Sequence, residues 1–280
     1  MAQISADEVL RLVAQGGVVD LSGKDLSGIN LFGATLKSVN FSRANLTRVQ
    51  IFEGELTDCD FSGATLDHMD LEGTKLTGTK LTGATLKQAK LDRAVLESCD
   101  LSRADFSDAS LDGTFIGHSV AARTLFRRAN LNVANLAEST FTEANFIDAD
   151  LTAASLSSQF NGAGFMRARL VFVQAAGAVF AGSVHRDARI RNTNFTGCNF
   201  QGADLTGADI ISTFLEQANL SGAKLDETAF PRTILRGADL TGCDLSSTIL
   251  DGARYDQQTR WPAGFDPVAA GAKLDQDIAG

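Results

Sequence analysis

A large apolar residue returns at every fifth position from Leu21 to Tyr255, almost without interruption, and this period restricts the chain to very few folds. The series runs Leu21, Leu26, Leu31, Leu36, Phe41, Leu46, Ile51, Leu56, Phe61 and Leu66 and continues to Leu156, with Ala121 its one small member. It slips by one residue near 157–160 and resumes as Phe160, Phe165, Leu170, Ala175, Phe180, His185 and Ile190, ending at Leu250 and Tyr255. About 28 units precede the slip and about 20 follow it, so the repeat fills roughly 85% of the chain. Five matches neither the 3.6-residue period of a helix nor the two-residue period of a strand. A short-repeat β-helix, with every fifth side chain pointing inward, satisfies it.

The remaining positions of the unit agree. Two residues before the large one the side chain is nearly always small, as at Ala44, Ala64, Ala84, Ala104, Ala203 and Ala238, with Cys59, Cys99, Cys198 and Cys243 in the same slot. One large and one small inward group per unit suit a narrow interior. The residue just before the large one is often Asp or Asn, as at Asp20, Asp25, Asn30, Asn45, Asp60 and Asp204, side chains that bond readily to turn backbone. The two residues after it are mostly polar and should face water. Cys59 and Cys99 would lie two coils apart, roughly 9.6 Å at the usual strand spacing, too far for a disulfide, so buried reduced thiols are expected.

Quartets such as Ala44-Asn45-Leu46-Thr47 and Ala203-Asp204-Leu205-Thr206 resemble the pentapeptide-repeat family. That resemblance implies an all-β chain: a right-handed quadrilateral parallel β-helix, four pentapeptides per coil. Forty-eight units would make about twelve coils, on the order of 58 Å of rod at about 4.8 Å per coil. Solenoids grow by adding coils, so 280 residues imply one extended domain rather than two. The expected organisation is a capping helix over 1–17, the β-helix over 18–258, and a cap and tail over 259–280. Ser5-Ala6-Asp7-Glu8 reads as a capping box, Val9, Leu10, Leu12 and Val13 as the apolar side of the helix, and Gly16-Gly17 as its stop. At the other end Arg260 to Phe265 breaks the period and brings the single tryptophan, Trp261, expected over the last coil. The residues past about Ala270 are expected to be mobile, the alternative being that Leu274 and Ile278 form a dimer contact.

Chemistry is sparse. The chain holds no phosphate-cradling glycine loop, nucleophile elbow, metal-spaced cysteine pair or His-Glu-x-x-His, so neither catalytic residues nor cofactor or metal sites are expected. His68 and His118 fall in outward slots, and His185 in a large inward slot, where a packed neutral imidazole is expected rather than a ligand or base. No apolar run approaches the roughly 18 residues of a membrane span, and the N-terminus lacks a basic stretch before an apolar core. A cytoplasmic chain is therefore expected, neither membrane-inserted nor secreted.

Net charge is −9 with an isoelectric point near 4.8, which opposes direct nucleic-acid binding. An acidic rod can instead occupy a protein's DNA-binding groove. The family resemblance points the same way, since its fluoroquinolone-resistance and gyrase-protecting members bind DNA gyrase or topoisomerase IV as DNA mimics. The likeness extends to repeat and charge only. No extended loop between coils is visible and no individual functional residue carries over. Charge also varies along the chain, being negative over 1–115 and 191–280 and slightly positive between.

Two features mark that middle region. Asp108, Arg128, Asp148, Arg167 and Asp187 would stack as a ladder of alternating charge, read as structural cross-strand ion pairs worth about 0 to 1 kcal/mol each. Outward slots become apolar at Val133, Ile147, Met166, Val171 and Phe172, and nearby turn slots at Phe115, Val120, Leu125, Val179 and Val184. Either these groups form an exposed interface, or the slip opens a bulge or loop that folds back over them. The leading functional expectation is a non-catalytic protein-binding rod, in its most specific form a DNA mimic directed at a type II topoisomerase. Its protein partner could include a second copy as a homodimer. The alternative is a structural scaffold, spacer or effector module that binds another protein.

Overall fold

The computed structural model describes residues 4–17 and 19–275. The chain divides into two compact units, Met1–Asn145 and Phe146–Gly280.

Unit 1 opens with α1 (Ala6–Ala14). The Ser5 side chain caps it by accepting the Glu8 amide at 3.2 Å, and the Glu8 carboxylate accepts from Arg11 at 2.9 Å. Val9 is fully buried while Leu10 is exposed, so Leu10 is not part of the apolar side as expected. Gly16 and Gly17, with φ of 72° and 94°, end the helix in a conformation that a Cβ would strain. The strands that follow are short: β1 (Val19–Asp20), β2 (Thr35–Lys37), β3 (Val39–Asn40), β4 (Glu55–Thr57), β5 (Lys75–Thr77), β6 (Val95–Glu97) and β7 (Phe115–Gly117). All pair in parallel with a register of twenty residues, as in Leu36↔Leu56, Leu56↔Leu76, Leu76↔Leu96 and Leu96↔Ile116. Single bridges at Asp25↔Asn45, Asn30↔Gln50 and Asn40↔Asp60 repeat that offset on the other three sides. Twenty residues are four pentapeptides, so each coil has four sides.

Five positions of the unit account for its backbone. The amide of the large residue donates to the next coil, as Leu26 to Asn45 O at 2.8 Å. The following amide donates to the Asp or Asn just before the large residue, as Thr47 to Asn45 Oδ1 at 3.1 Å. The third donates to the next coil (Gly28 to Thr47 O), the fourth turns back to the large residue (Ala44 to Phe41 O), and the fifth donates to the previous coil (Asn45 to Lys24 O). Where Asp or Asn precedes the large residue, all five amides of the unit are thus paired.

The core is a stack of like side chains. Phe41 lies flat on Phe61 with centroids 4.9 Å apart, and Phe106 on Phe126 at 5.2 Å. At several of the polar residues that occupy the small inward slot, the side chain donates to the carbonyl of a large residue 23 positions earlier. Thr74 does so to Ile51 O at 2.8 Å and Thr114 to Leu91 O at 2.7 Å, and Cys99 to Leu76 O at 3.3 Å in the same manner. Thr79 stands between the coils of Cys59 and Cys99, its Oγ1 3.1 Å from Cys99 Sγ, and all four cysteines are free and buried.

Unit 2 repeats this construction with β8 (Arg169–Val171), β9 (Arg189–Arg191), β10 (Asp209–Ile211), β11 (Arg254–Tyr255) and β12 (Lys273–Leu274). Phe146, Phe165 and His185 stack at 4.8 Å intervals, and Phe160, Phe180 and Phe200 form a second column. The slip produces neither a bulge nor a loop. Pairing shortens to nineteen residues at Asp150↔Arg169 and Ser155↔Gln174 and returns to twenty at Gln159↔Val179. The Ser158 amide closes a three-residue turn on Leu156 O at 2.7 Å, and Ser158 fills the small inward slot, so the residue deleted is the second outward one.

The C-terminal end also departs from the sequence expectation. Tyr255 is followed by a six-residue unit, after which Trp261 takes the next large slot, packed edge-on against Tyr255 and stacked on Phe265 at 5.4 Å each. Residues past Ala270 are not a mobile tail as far as they are described, because β12 pairs in parallel with β11 (Tyr255↔Leu274). Ile278 lies outside the described residues. This added pairing brings the turns of the two units to about 13 rather than twelve.

Candidate functional site

The coil fixes where every outward group sits. In each five-residue unit the second residue after the large one has positive φ, near +55° to +65°, whether glycine (Gly63, 65°) or not (Arg48, 58°; Val133, 57°; Phe172, 59°). That geometry turns the chain at each corner and projects these side chains into solvent. Glycine meets it freely, whereas a β-branched residue such as Val133 adopts it at a cost.

Charge in unit 1 is partitioned by side. On the two sides whose large residues are Leu21, Phe41, Phe61 and onward, and Leu26, Leu46, Leu66 and onward, acidic and basic outward residues balance. Between coils they pair: Arg123 with Glu143 at 2.7 Å, and Arg128 with both carboxylate oxygens of Asp108 at 2.7 Å, a contact that lowers the Asp108 pKa. The side built on Leu31, Ile51, Leu71, Leu91, Leu111 and Leu131 carries Glu53, Asp70, Glu72, Asp92 and Asp112 against Lys90 and Arg93. The next side carries Glu55, Asp58, Glu97 and Glu138 against Lys37 and Lys75. The first of these acidic sides also holds Phe32, 62% exposed, stacked on Phe52 at 5.6 Å. Two shallow hollows lie along it. One of about 340 Å³ is lined by Asn30, Phe32, Gln50, Phe52, Asp70 and Glu72; one of about 510 Å³ includes Glu72, Asp92, Arg93, Asp112 and Val133.

Of the apolar residues singled out in the sequence, Val133 therefore belongs to unit 1, 62% exposed beside these carboxylates. The other four belong to unit 2. Ile147 and Met166 are half-buried in adjoining coils, where the Asp148 amide meets Met166 O at 3.0 Å. Val171 ends β8 half-buried, and Phe172 beside it is 57% exposed. Phe115 has a structural role: its ring covers Gly117 so closely that a Cβ there would lie 2.1 Å from Phe115 Cζ.

In unit 2 Arg167 meets both oxygens of Asp148 at 2.7 and 2.8 Å, which raises the Arg167 pKa. Asp187 leaves the expected ladder. Its carboxylate lies over Gly207, where a Cβ would come within 2.7 Å of Oδ1, and among the described residues it makes no ion pair. The outward face of the β8–β9–β10 sheet carries Arg169, Arg189 and Arg191 against Asp209, which pairs with Arg191, beside Val171, Phe172 and Ile211. Phe32 and Phe52 escaped the sequence reading although their signal was of the same kind, an apolar residue directly after the large one in Leu31-Phe32 and Ile51-Phe52.

The buried titratable groups are packing elements. His185 is fully buried, and the loss of solvation pushes its pKa down to about 3. The Ser183 hydroxyl donates to Phe180 O at 2.6 Å, so His185 Nε2 must carry the proton it shares with Ser183 Oγ at 2.8 Å, leaving Nδ1 bare. Burial raises Cys59 to about 11 and Cys198 to about 12. His68 and His118 are exposed on different coils, His118 3.3 Å from Glu138.

A sequence profile described as pentapeptide repeats matches in eight copies, over residues 19–49, 55–93, 79–116, 122–157, 176–210, 186–222 and 215–252. The chain belongs to the pentapeptide-repeat family. Its fold is accordingly the right-handed quadrilateral β-helix. Among solved pentapeptide-repeat structures, HetL from the cyanobacterium Nostoc, involved in heterocyst differentiation regulation, is 25% identical over 92% of this chain and 95% of its own, with a TM-score of 0.27. A trypsin-treated form of QnrB1, a plasmid-mediated fluoroquinolone resistance protein, is 22% identical over 86% and 91%, with a TM-score of 0.33. A pentapeptide-repeat protein of the Arabidopsis thaliana thylakoid lumen is 27% identical over 39% and 68%, with a TM-score of 0.28. No curated protein matches in sequence. No helix among the described residues is long and apolar enough to cross a membrane.

Proposed function

We propose that this pentapeptide-repeat chain is a non-catalytic protein-binding β-helix that engages a cationic groove by mimicking duplex DNA, with DNA gyrase or topoisomerase IV as the specific candidate partner in the cytoplasm. The observation that carries this reading is the segregation of charge in unit 1. Five carboxylates face two cations on one side of the coil and four face two on the next, while the other two sides are balanced. Carboxylates set on a regular backbone, most with no cationic partner among the described residues, present a fixed negative field to a groove built for phosphates. The family's gyrase-binding members make a type II topoisomerase the first partner to test.

A scaffold role is the second reading, favoured by the balanced sides. Their coil-to-coil pairs, such as Arg123–Glu143, neutralise the surface rather than project charge. Gyrase supercoiling and drug-stabilised cleavage assays decide between the two. The mimic reading expects inhibition of supercoiling or loss of drug-induced cleavage, weakened by Asp92→Lys with Asp112→Lys. If neither activity changes at large molar excess, mimicry is abandoned and a pull-down from extract becomes the test of the scaffold role.

A further inference from the structure

We propose that the acidic side of unit 1 and the basic sheet face of unit 2 are complementary docking surfaces through which one copy of this chain binds a second. Four properties of the two surfaces support this. Their charges are opposite: Glu53, Asp70, Glu72, Asp92 and Asp112 dominate the first, while Arg169, Arg189, Arg191 and Arg232 outnumber Asp150, Asp209 and Asp251 on the second. Part of that charge is already paired on the second surface, where Arg169 meets Asp150 at 3.9 Å and Arg191 meets Asp209, but the rest is unspent. Of the five carboxylates only Glu72 has a cationic partner among the described residues, namely Arg93, and exposed Arg189 and Arg232 make neither an ion pair nor a side-chain hydrogen bond there.

Each surface also offers apolar groups in outward positions. Phe32, Phe52 and Val133 accompany the carboxylates, and Val171, Phe172 and Ile211 accompany the arginines. Phe172 and Val133 hold positive φ while more than half exposed, a backbone conformation that neither side chain favours. Finally, the side-chain rows have a common pitch. Both surfaces repeat every twenty residues, about 4.8 Å per coil, so rows of carboxylates and rows of arginines laid side by side stay in step. A helix surface or an irregular loop would lose register within a few residues.

Because the two surfaces differ, a single such contact is heterologous and leaves one surface free on each partner. It uses the acidic side invoked above for a cationic groove but does not depend on that reading, and pure protein tests it without any topoisomerase. Sedimentation velocity at low salt should show a mass rising above the 29.6 kDa monomer with concentration and falling as salt is added. Arg189→Glu and Asp112→Arg should each raise the apparent dissociation constant by about tenfold or more, with circular dichroism unchanged. An equimolar mixture of the two variants should regain a 1:1 complex, because each supplies the surface the other lacks.

A monomer at every concentration would overturn the proposal. So would variants that associate like the wild type, which would place self-association elsewhere, or a mixture that stays monomeric although each variant is folded.

Discussion

His185 shows how one inward slot couples core packing to pH. The slot demands a large flat group, and the imidazole supplies one by stacking on Phe165 at 4.8 Å with rings 6° apart. Its folded pKa, about 3, lies below its ordinary value near 6.5, so the unfolded chain binds the extra proton first. The stabilising contribution is therefore complete above pH 6.5 and is lost as pH falls toward 3, by about 5 kcal/mol over that window. His185→Phe should remove this component of acid lability, visible as a flatter dependence of denaturation midpoint on pH between 6.5 and 3. Val133 makes the opposite case, a side chain set against its backbone. At φ 57° Val133→Asn should raise stability by about 0.5–1 kcal/mol in denaturant melts, since Asn tolerates that region and the lost valine contacts little in its unit.

At the scale of the repeating element, the four-residue unit Leu156-Ser157-Ser158-Gln159 shows which positions are indispensable. The large residue, the small inward residue and the bridge-forming residue are all kept, and the corner residue is dropped. Inserting one glycine between Ser157 and Ser158 restores a five-residue unit with glycine at the positive-φ corner. We expect this insertion to shift the midpoint by less than about 1 kcal/mol equivalent. The same insertion after Ser102 would add a sixth residue to a regular unit whose five amides are all engaged, and should destabilise by several times as much. Equal effects in the two places would contradict the account of the slip as a contraction. The apolar positions near it were legible in the sequence, but their charged surroundings were not: Val133 lies beside carboxylates in unit 1, and Phe172 beside arginines in unit 2.

For the molecule as a whole, the ends and the distribution of charge matter most. A β-helix ends in open strand edges and exposed core unless something covers them. At the C-terminal end Trp261 fills the slot above Leu240, whose amide donates to Arg260 O at 2.7 Å, and β12 covers the edge of β11. Trp261→Ala should cost about 3 kcal/mol locally and expose that coil, which light scattering would register as concentration-dependent aggregation below the main unfolding transition.

The sequence alone determined the period, the alternation of large and small inward groups, the Asp or Asn bridge and the buried thiols. Each of these is a local demand repeated dozens of times, and repetition makes a weak signal unmistakable. Tertiary structure decided what happens once. The contraction at Ser158, the return of the period at Trp261 and the turning of Asp187 onto Gly207 depend on which side chains adjoin across coils twenty residues apart. The sorting of carboxylates and arginines onto particular sides has the same origin: charges far apart in the chain become neighbours only when the coil stacks them.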